Sequence, residues 1–247
     1  MSRIEVAREQ LAIALDVPDL PAAESLIHAL GGAPGWLKVG AELFTAAGPP
    51  ALEAAGRRAR VFLDTKLHDI PNTVARTVAA ATRHGVSMLT LHAAGGGAML
   101  RAAREAAESE AEASGRARPE LVAVTVLTSF SPADLKEVGV VAAIEDQVAR
   151  LVDLAMATGI DGVVASPREA AMVRRRAGRA LRIVTPGIRP RGWPADDQNR
   201  AASAAAAIAA GSDLLVVGRP VLSAPDPAAA VRSLIAEIEE ARGSAPD

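Results

Sequence analysis

From Phe62 to Thr73 the chain reads Phe-Leu-Asp-Thr-Lys-Leu-His-Asp-Ile-Pro-Asn-Thr, an apolar approach followed by Asp64, Lys66 and Asp69. An apolar run that halts at an acid reads as a buried strand ending there. Residues two apart on a strand share a face, so Asp64 and Lys66 are expected to project together. The chain then turns, Asp69 adds a second acid, and Pro71 stands where a helix opens, in its first turn. Acid, base and acid are thus expected to gather at one strand end. With Lys38, the set Lys38, Asp64, Lys66 and Asp69 has no net charge. An unpaired buried ion is costly, so ions placed near a core must neutralise one another. Flanking carboxylates hold Lys66 protonated, because opposite charge favours the charged form. A fixed ammonium stabilises a developing carbanion and can then donate a proton to it. Schiff-base chemistry would need the neutral amine. A surface salt-bridge cluster at a strand-to-helix turn is the plainer alternative, and it accounts poorly for all four groups together.

Other positions invite chemistry of a second kind. Asp16 either accepts a hydrogen bond from a sugar hydroxyl or caps the helix that follows, and its place beside Lys38 favours the ligand. Val216-Val217-Gly218-Arg219-Pro220 has the form of a phosphate site, in which backbone N–H groups and an Arg fork hold the dianion. Thr185-Pro186-Gly187-Ile188-Arg189 is a similar earlier turn, and Gln198 reaches toward the same place from the end of its loop. The run His92-Ala93-Ala94-Gly95-Gly96-Gly97 lacks a following Lys-Ser/Thr, so it reads as a strand-to-helix turn rather than a phosphate cradle. His92 is expected to be packed and hydrogen-bonded rather than a base. His28 and His84 fall on helices facing solvent, and His68 is free to point away from its charged neighbours. Two carboxylates with a lysine between them recruit a divalent cation poorly, so no metal is expected.

Elements to position these groups are easily found. Eight short apolar runs are expected as strands: Leu11–Asp16, Trp36–Gly40, Val61–Lys66, Met88–His92, Leu121–Leu127, Gly162–Ser166, Arg182–Pro186 and Leu214–Gly218. Between them lie predicted helices over Pro21–Leu30, Pro49–Arg58, Pro71–His84, Ala98–Glu112, Ile144–Thr158, Pro167–Ala177, Arg200–Ala210 and Pro227–Arg242. Several open on proline, and Gly31, Gly56, Gly85, Gly159 and Gly211 are read as helix closers. Ser109–Pro119 and Gly187–Asp197 read as loops. Eightfold strand–helix alternation predicts an α/β fold, a (β/α)8 TIM barrel forming a single domain over residues 1–247, with a doubly wound open sheet as the lesser option. Catalytic groups of such barrels stand at the C-terminal strand ends, which is where Asp16, Lys38, Asp64, Lys66, His92, Thr128, Ser166 and Arg219 fall.

Composition narrows the class. Half of the 247 residues are hydrophobic but only 2% are aromatic, with no Tyr, so the core is built from Ala, Val, Leu and Ile. A net charge of -2 leaves no basic field for nucleic acid. The absence of Cys excludes disulfides, thiolate metal sites and Cys nucleophiles. The charged opening does not suit a secretion signal, and no apolar stretch is long enough for a membrane span, so a soluble cytoplasmic protein is expected.

Taken together, Leu15-Asp16, Lys38-Val39-Gly40 and Asp64-x-Lys66-x-x-Asp69-Ile70-Pro71-Asn72-Thr73 resemble the orotidine 5'-phosphate decarboxylase family. Val124-Thr125-x-Leu127-Thr128-Ser129, Thr185–Arg189 and Val217-Gly218-Arg219 match its later motifs in order, from about Leu11 to Pro220, in the shorter bacterial form. The resemblance implies a homodimeric barrel that decarboxylates orotidine 5'-monophosphate to uridine 5'-monophosphate without cofactor or metal. It also implies roles. Lys66 protonates C6 and Asp64 lies beside the departing carboxylate. Asp69 and Thr73 cross the dimer interface to the neighbour's ribose. Asp16 and Lys38 hold ribose hydroxyls, and Thr128 sits by the pyrimidine. Arg189, Gln198, Gly218 and Arg219 take the phosphate. Pro190–Asp197, rich in proline and carrying Trp193, departs from the family pattern. Magnesium-dependent sugar-phosphate enzymes of the same suprafamily, which share Asp-x-Lys-x-x-Asp, and a non-catalytic nucleotide-binding barrel are the rival expectations.

Overall fold

Strands that alternate small and branched apolar residues on both faces suit a parallel sheet covered by helices outside and closed upon itself inside. The structure, a computed structural model, describes residues 2–190 and 202–243. Its strands are β1 (Leu11–Ala14), β2 (Trp36–Gly40), β3 (Arg60–Leu67), β4 (Met88–His92), β5 (Glu120–Val124), β6 (Gly162–Val164), β7 (Arg182–Thr185) and β8 (Leu214–Val217). All are parallel and pair in chain order, with β8 returning to β1 to close the barrel. The expected (β/α)8 fold is the one observed, and the open-sheet option falls.

The helices are α1 (Arg3–Glu9), α2 (Leu20–Ala29), α3 (Ala41–Ala47), α4 (Pro49–Gly56), α5 (Pro71–Arg83) and α6 (Gly96–Ser114). They continue with α7 (Pro132–Glu137), α8 (Ile144–Ala157), α9 (Pro167–Ala177), α10 (Ala204–Ala209), α11 (Arg219–Leu222) and α12 (Pro227–Gly243). No described helix is long and apolar enough to cross a membrane. Four short helices, α1, α3, α7 and α11, were not expected; α1 and α7 carry capping boxes, Ser2 with Glu5 and Ser131 with Asp134. Ser109–Ser114 belongs to α6 instead of a loop, because its Ala- and Glu-rich run propagates until Gly115 turns left-handed. Ser203 caps α10, which begins at Ala204, and the expected start at Arg200 lies outside the described residues. Gly56 lies within the last turn of α4 and is not a left-handed closer, unlike Gly31, Gly85, Gly159 and Gly211.

Strand parity divides the core in two. Even-numbered residues (Ala12, Ala14, Trp36, Phe62, Met88, Val122, Val124, Val164, Val184, Leu214 and Val216) form the barrel interior. Odd-numbered ones such as Leu11, Ile13, Leu37, Val39, Leu63 and Leu89 pack outward beneath the helices. Trp36 is fully buried at the N-terminal end, donating its indole N–H to the Glu9 carbonyl at 3.1 Å. The Arg60 guanidinium lies 3.9 Å from its ring centroid, closing that end with a cation over an aromatic face. The inward positions that follow this apolar plug are the polar residues of the opposite mouth.

Candidate active site

Neighbouring strands bring the predicted charges together. β1, β2 and β3 lie side by side with Ala14 opposite Lys38 and Lys38 opposite Phe62, so Asp16, Lys38 and Asp64 occupy adjacent inward positions. Lys38 is buried, and its Nζ stands 3.0 Å from Asp16 Oδ1 and 3.6 Å from Asp64 Oδ2. Lys66 Nζ donates to both Asp64 oxygens, at 2.9 and 3.0 Å. An alternating row Asp16–Lys38–Asp64–Lys66 results. A Cβ added to Gly40 would lie 3.1 Å from both Asp16 Oδ1 and Lys38 Nζ, so a larger residue there would crowd the ion pair. Asp19, and not Asp16, caps α2 through the Ala22 N–H, which leaves Asp16 to the mouth. Burial acts to raise the Asp64 carboxyl. Attraction to Lys38 and Lys66, with hydrogen bonds from Lys66 and Thr90, outweighs it and holds the group below the usual carboxylate range.

Asp64 and Lys66 meet as expected, but not by strand alternation. Leu63 pairs with Leu89 while Leu67 pairs with Leu91, so β3 bulges over Asp64–Lys66. Lys66 is the sole non-glycine residue at positive φ (49°) among the described residues, a conformation costing about 1–2 kcal/mol. Its backbone N–H donates to Thr90 Oγ1 at 2.8 Å, and that hydroxyl donates to Asp64 Oδ1 at 3.0 Å. Thr90 went unremarked in the sequence, although it holds the inward position on β4 between Met88 and His92.

A cavity of about 390 Å³ opens above this row. Asp16, Lys38, Asp64, Lys66 and Thr128 line it, together with Gly187, Arg189, Gly218 and Arg219 from the turns after β7 and β8. Phe62, Val164, Val184 and Val216 add an apolar floor that the charge pattern did not announce; inward parity was its signal. Arg189 is buried and Arg219 is exposed.

Two predicted residues are not brought in. Asp69 and Thr73 do not line the cavity, and exposed Asp69 accepts the Ile70 N–H at 2.6 Å. Acid, base and acid therefore do not gather within one chain: Asp64 and Lys66 line the cavity, whereas Asp69 lies beyond the end of β3 and does not. Ile70, 65% exposed, stands beside Asp69 on the same outer surface. Gln198 and residues 191–197 lie outside the described residues. His28 and His84 are exposed as expected, and His68 is exposed too. His92 departs from expectation: it stacks on His68 at 5.3 Å between ring centroids, and its buried Nδ1 takes no hydrogen bond from the described residues. Burial, then repulsion from His68 and Lys66, lowers its pKa, which keeps this imidazole neutral near pH 7.

Comparison with known proteins adds independent information. The model of the "Orotidine 5'-phosphate decarboxylase / HUMPS family" matches residues 9–234. An orotidine 5'-phosphate decarboxylase of Moorella thermoacetica is 51% identical over 94% of this chain and 93% of its own. One of Halorhodospira halophila is 50% identical over 94% and 97%. The crystal structure of orotidine 5'-phosphate decarboxylase from Lactobacillus acidophilus superposes with a TM-score of 0.82 at 34% identity, covering 92% of this chain and 98% of that one.

Proposed function

Because the chain belongs to the orotidine 5'-phosphate decarboxylase / HUMPS family, we propose that it converts orotidine 5'-monophosphate to uridine 5'-monophosphate and CO2 in de novo pyrimidine synthesis. The observation that carries the reading is the Asp16–Lys38–Asp64–Lys66 row facing, across one cavity, two glycine–arginine turns. The bond from C6 to the carboxylate breaks, its electron pair stays on C6, CO2 leaves, and the Lys66 ammonium delivers the proton. No carbonyl lies where it could take up that charge, so fixed cations must stabilise the carbanion. Asp64 lies beside the departing carboxylate. Asp16 and Lys38 hold ribose hydroxyls, Thr128 borders the pyrimidine, and Arg189, Gln198, Gly218 and Arg219 bind phosphate. The whole chain, 1–247, acts as one cytoplasmic barrel domain.

No metal or other cofactor takes part in this reading. Both Asp64 oxygens already face ammonium groups, which compete directly with a cation. The deciding assay follows the absorbance of orotidylate on adding enzyme, with and without EDTA. Loss of absorbance at equal rates is expected. Activity that vanishes with chelator would favour a magnesium-dependent sugar-phosphate enzyme, and no reaction at all a binding barrel.

The functional unit in this reading is a homodimer, with Asp69 and Thr73 entering the neighbour's site. Both lie outside their own cavity, and Asp69 is exposed next to exposed Ile70, which supports it. Lys66→Ala and Asp69→Ala are each expected to be inactive. Mixed equally after subunit exchange, they should regain about a quarter of wild-type activity, since half the dimers then carry one intact site of two. A mixture that exchanges subunits yet stays inactive would rule out sharing.

A further inference from the structure

We infer that Thr90 is a positioning residue for the reaction: its hydroxyl fixes Lys66 and Asp64 as one unit. This rests on the activity proposed above and goes beyond the residues assigned there. The bulge in β3 leaves the Lys66 N–H without a place in the β3–β4 ladder, since pairing resumes only at Leu67 with Leu91. Thr90 Oγ1 takes that N–H at 2.8 Å. A hydroxyl has one proton to give, and a carboxylate can only accept, so the contact to Asp64 Oδ1 at 3.0 Å must be donated by Thr90. Every polar capacity used is thereby oriented in one way: backbone N–H to hydroxyl, hydroxyl to carboxylate, and Lys66 Nζ back to the same Asp64 oxygen at 2.9 Å.

The ring so formed joins both ends of Lys66. That matters because a lysine side chain is long and this one is 41% exposed, whereas Lys38, at 9%, is clamped between two acids. Thr90 itself is fully buried, and a β-branched side chain has few rotamers, so its hydroxyl is aimed before substrate arrives. Thr90 does not line the cavity, so it acts through Asp64 and Lys66 and not on the nucleotide.

Thr90→Val keeps the shape and removes the hydroxyl; Thr90→Ser keeps the hydroxyl. With orotidylate as substrate, valine should lower kcat about 100-fold with KM little changed, and serine should restore kcat to within about threefold. Thr90→Ala carries the same expectation as valine should the latter misfold. A carbon-13 NMR titration should find the Asp64 carboxyl pKa higher in the valine or alanine variant than in wild type, and unshifted in serine. Wild-type kcat and an unmoved Asp64 titration in a folded hydroxyl-free variant would overturn the inference, as would failure of serine to rescue. Were wild type inactive on orotidylate, the activity reading would fall, while the titration would still decide whether Thr90 sets the state of Asp64.

Discussion

Replacing Lys66 with alanine should lower kcat by at least about four orders of magnitude, from the joint loss of a general acid and a charge aimed at the carbanion. Binding of uridine 5'-monophosphate, measured by calorimetry, should change little. The two lysines differ in a way that favours Lys66 for the proposed step. Lys38 is buried with acids on either side, so its charge is committed to the row. The Lys66 side chain is 41% exposed and, among the described residues, its ammonium is bound only at Asp64, so it can reach an added ligand. Substitution there leaves the apolar plug of Trp36, Phe62 and Met88 untouched, and retained nucleotide binding would separate lost chemistry from lost fold. Residual turnover within tenfold of wild type would remove Lys66 from its role.

Arg219→Ala should cost kcat/KM about 3 kcal/mol on orotidine 5'-monophosphate, roughly 100-fold. On the phosphate-free nucleoside it should have almost no effect. The difference arises because binding energy from a remote group can be used at the reacting centre when it closes and dries the site. Arg219 follows β8 and Arg189 follows β7, both on the same cavity as Lys66, so in the proposed reading a grip on phosphate reaches C6 only through the substrate. Equal losses on the two substrates would contradict the clamp and point instead to a general weakening of the mouth.

Much of this was legible in the chain itself. Short apolar runs set between helical stretches are a local property, and they marked the eight strands and the polar residues that close them. The spacing of Asp64 and Lys66 was likewise enough to pair them, though for the wrong reason, since a bulge and not a regular strand brings them together. The tertiary structure alone decided the register between neighbouring strands, and so that Lys38 Nζ stands 3.0 Å from Asp16 on one side and 3.6 Å from Asp64 on the other. It alone put a hydroxyl from β4 between Lys66 and Asp64. Registers and bulges depend on residues far apart in sequence, because each is set by how two strands share their hydrogen bonds. A side chain's type and parity can be read from its own strand, but its partner belongs to the next one.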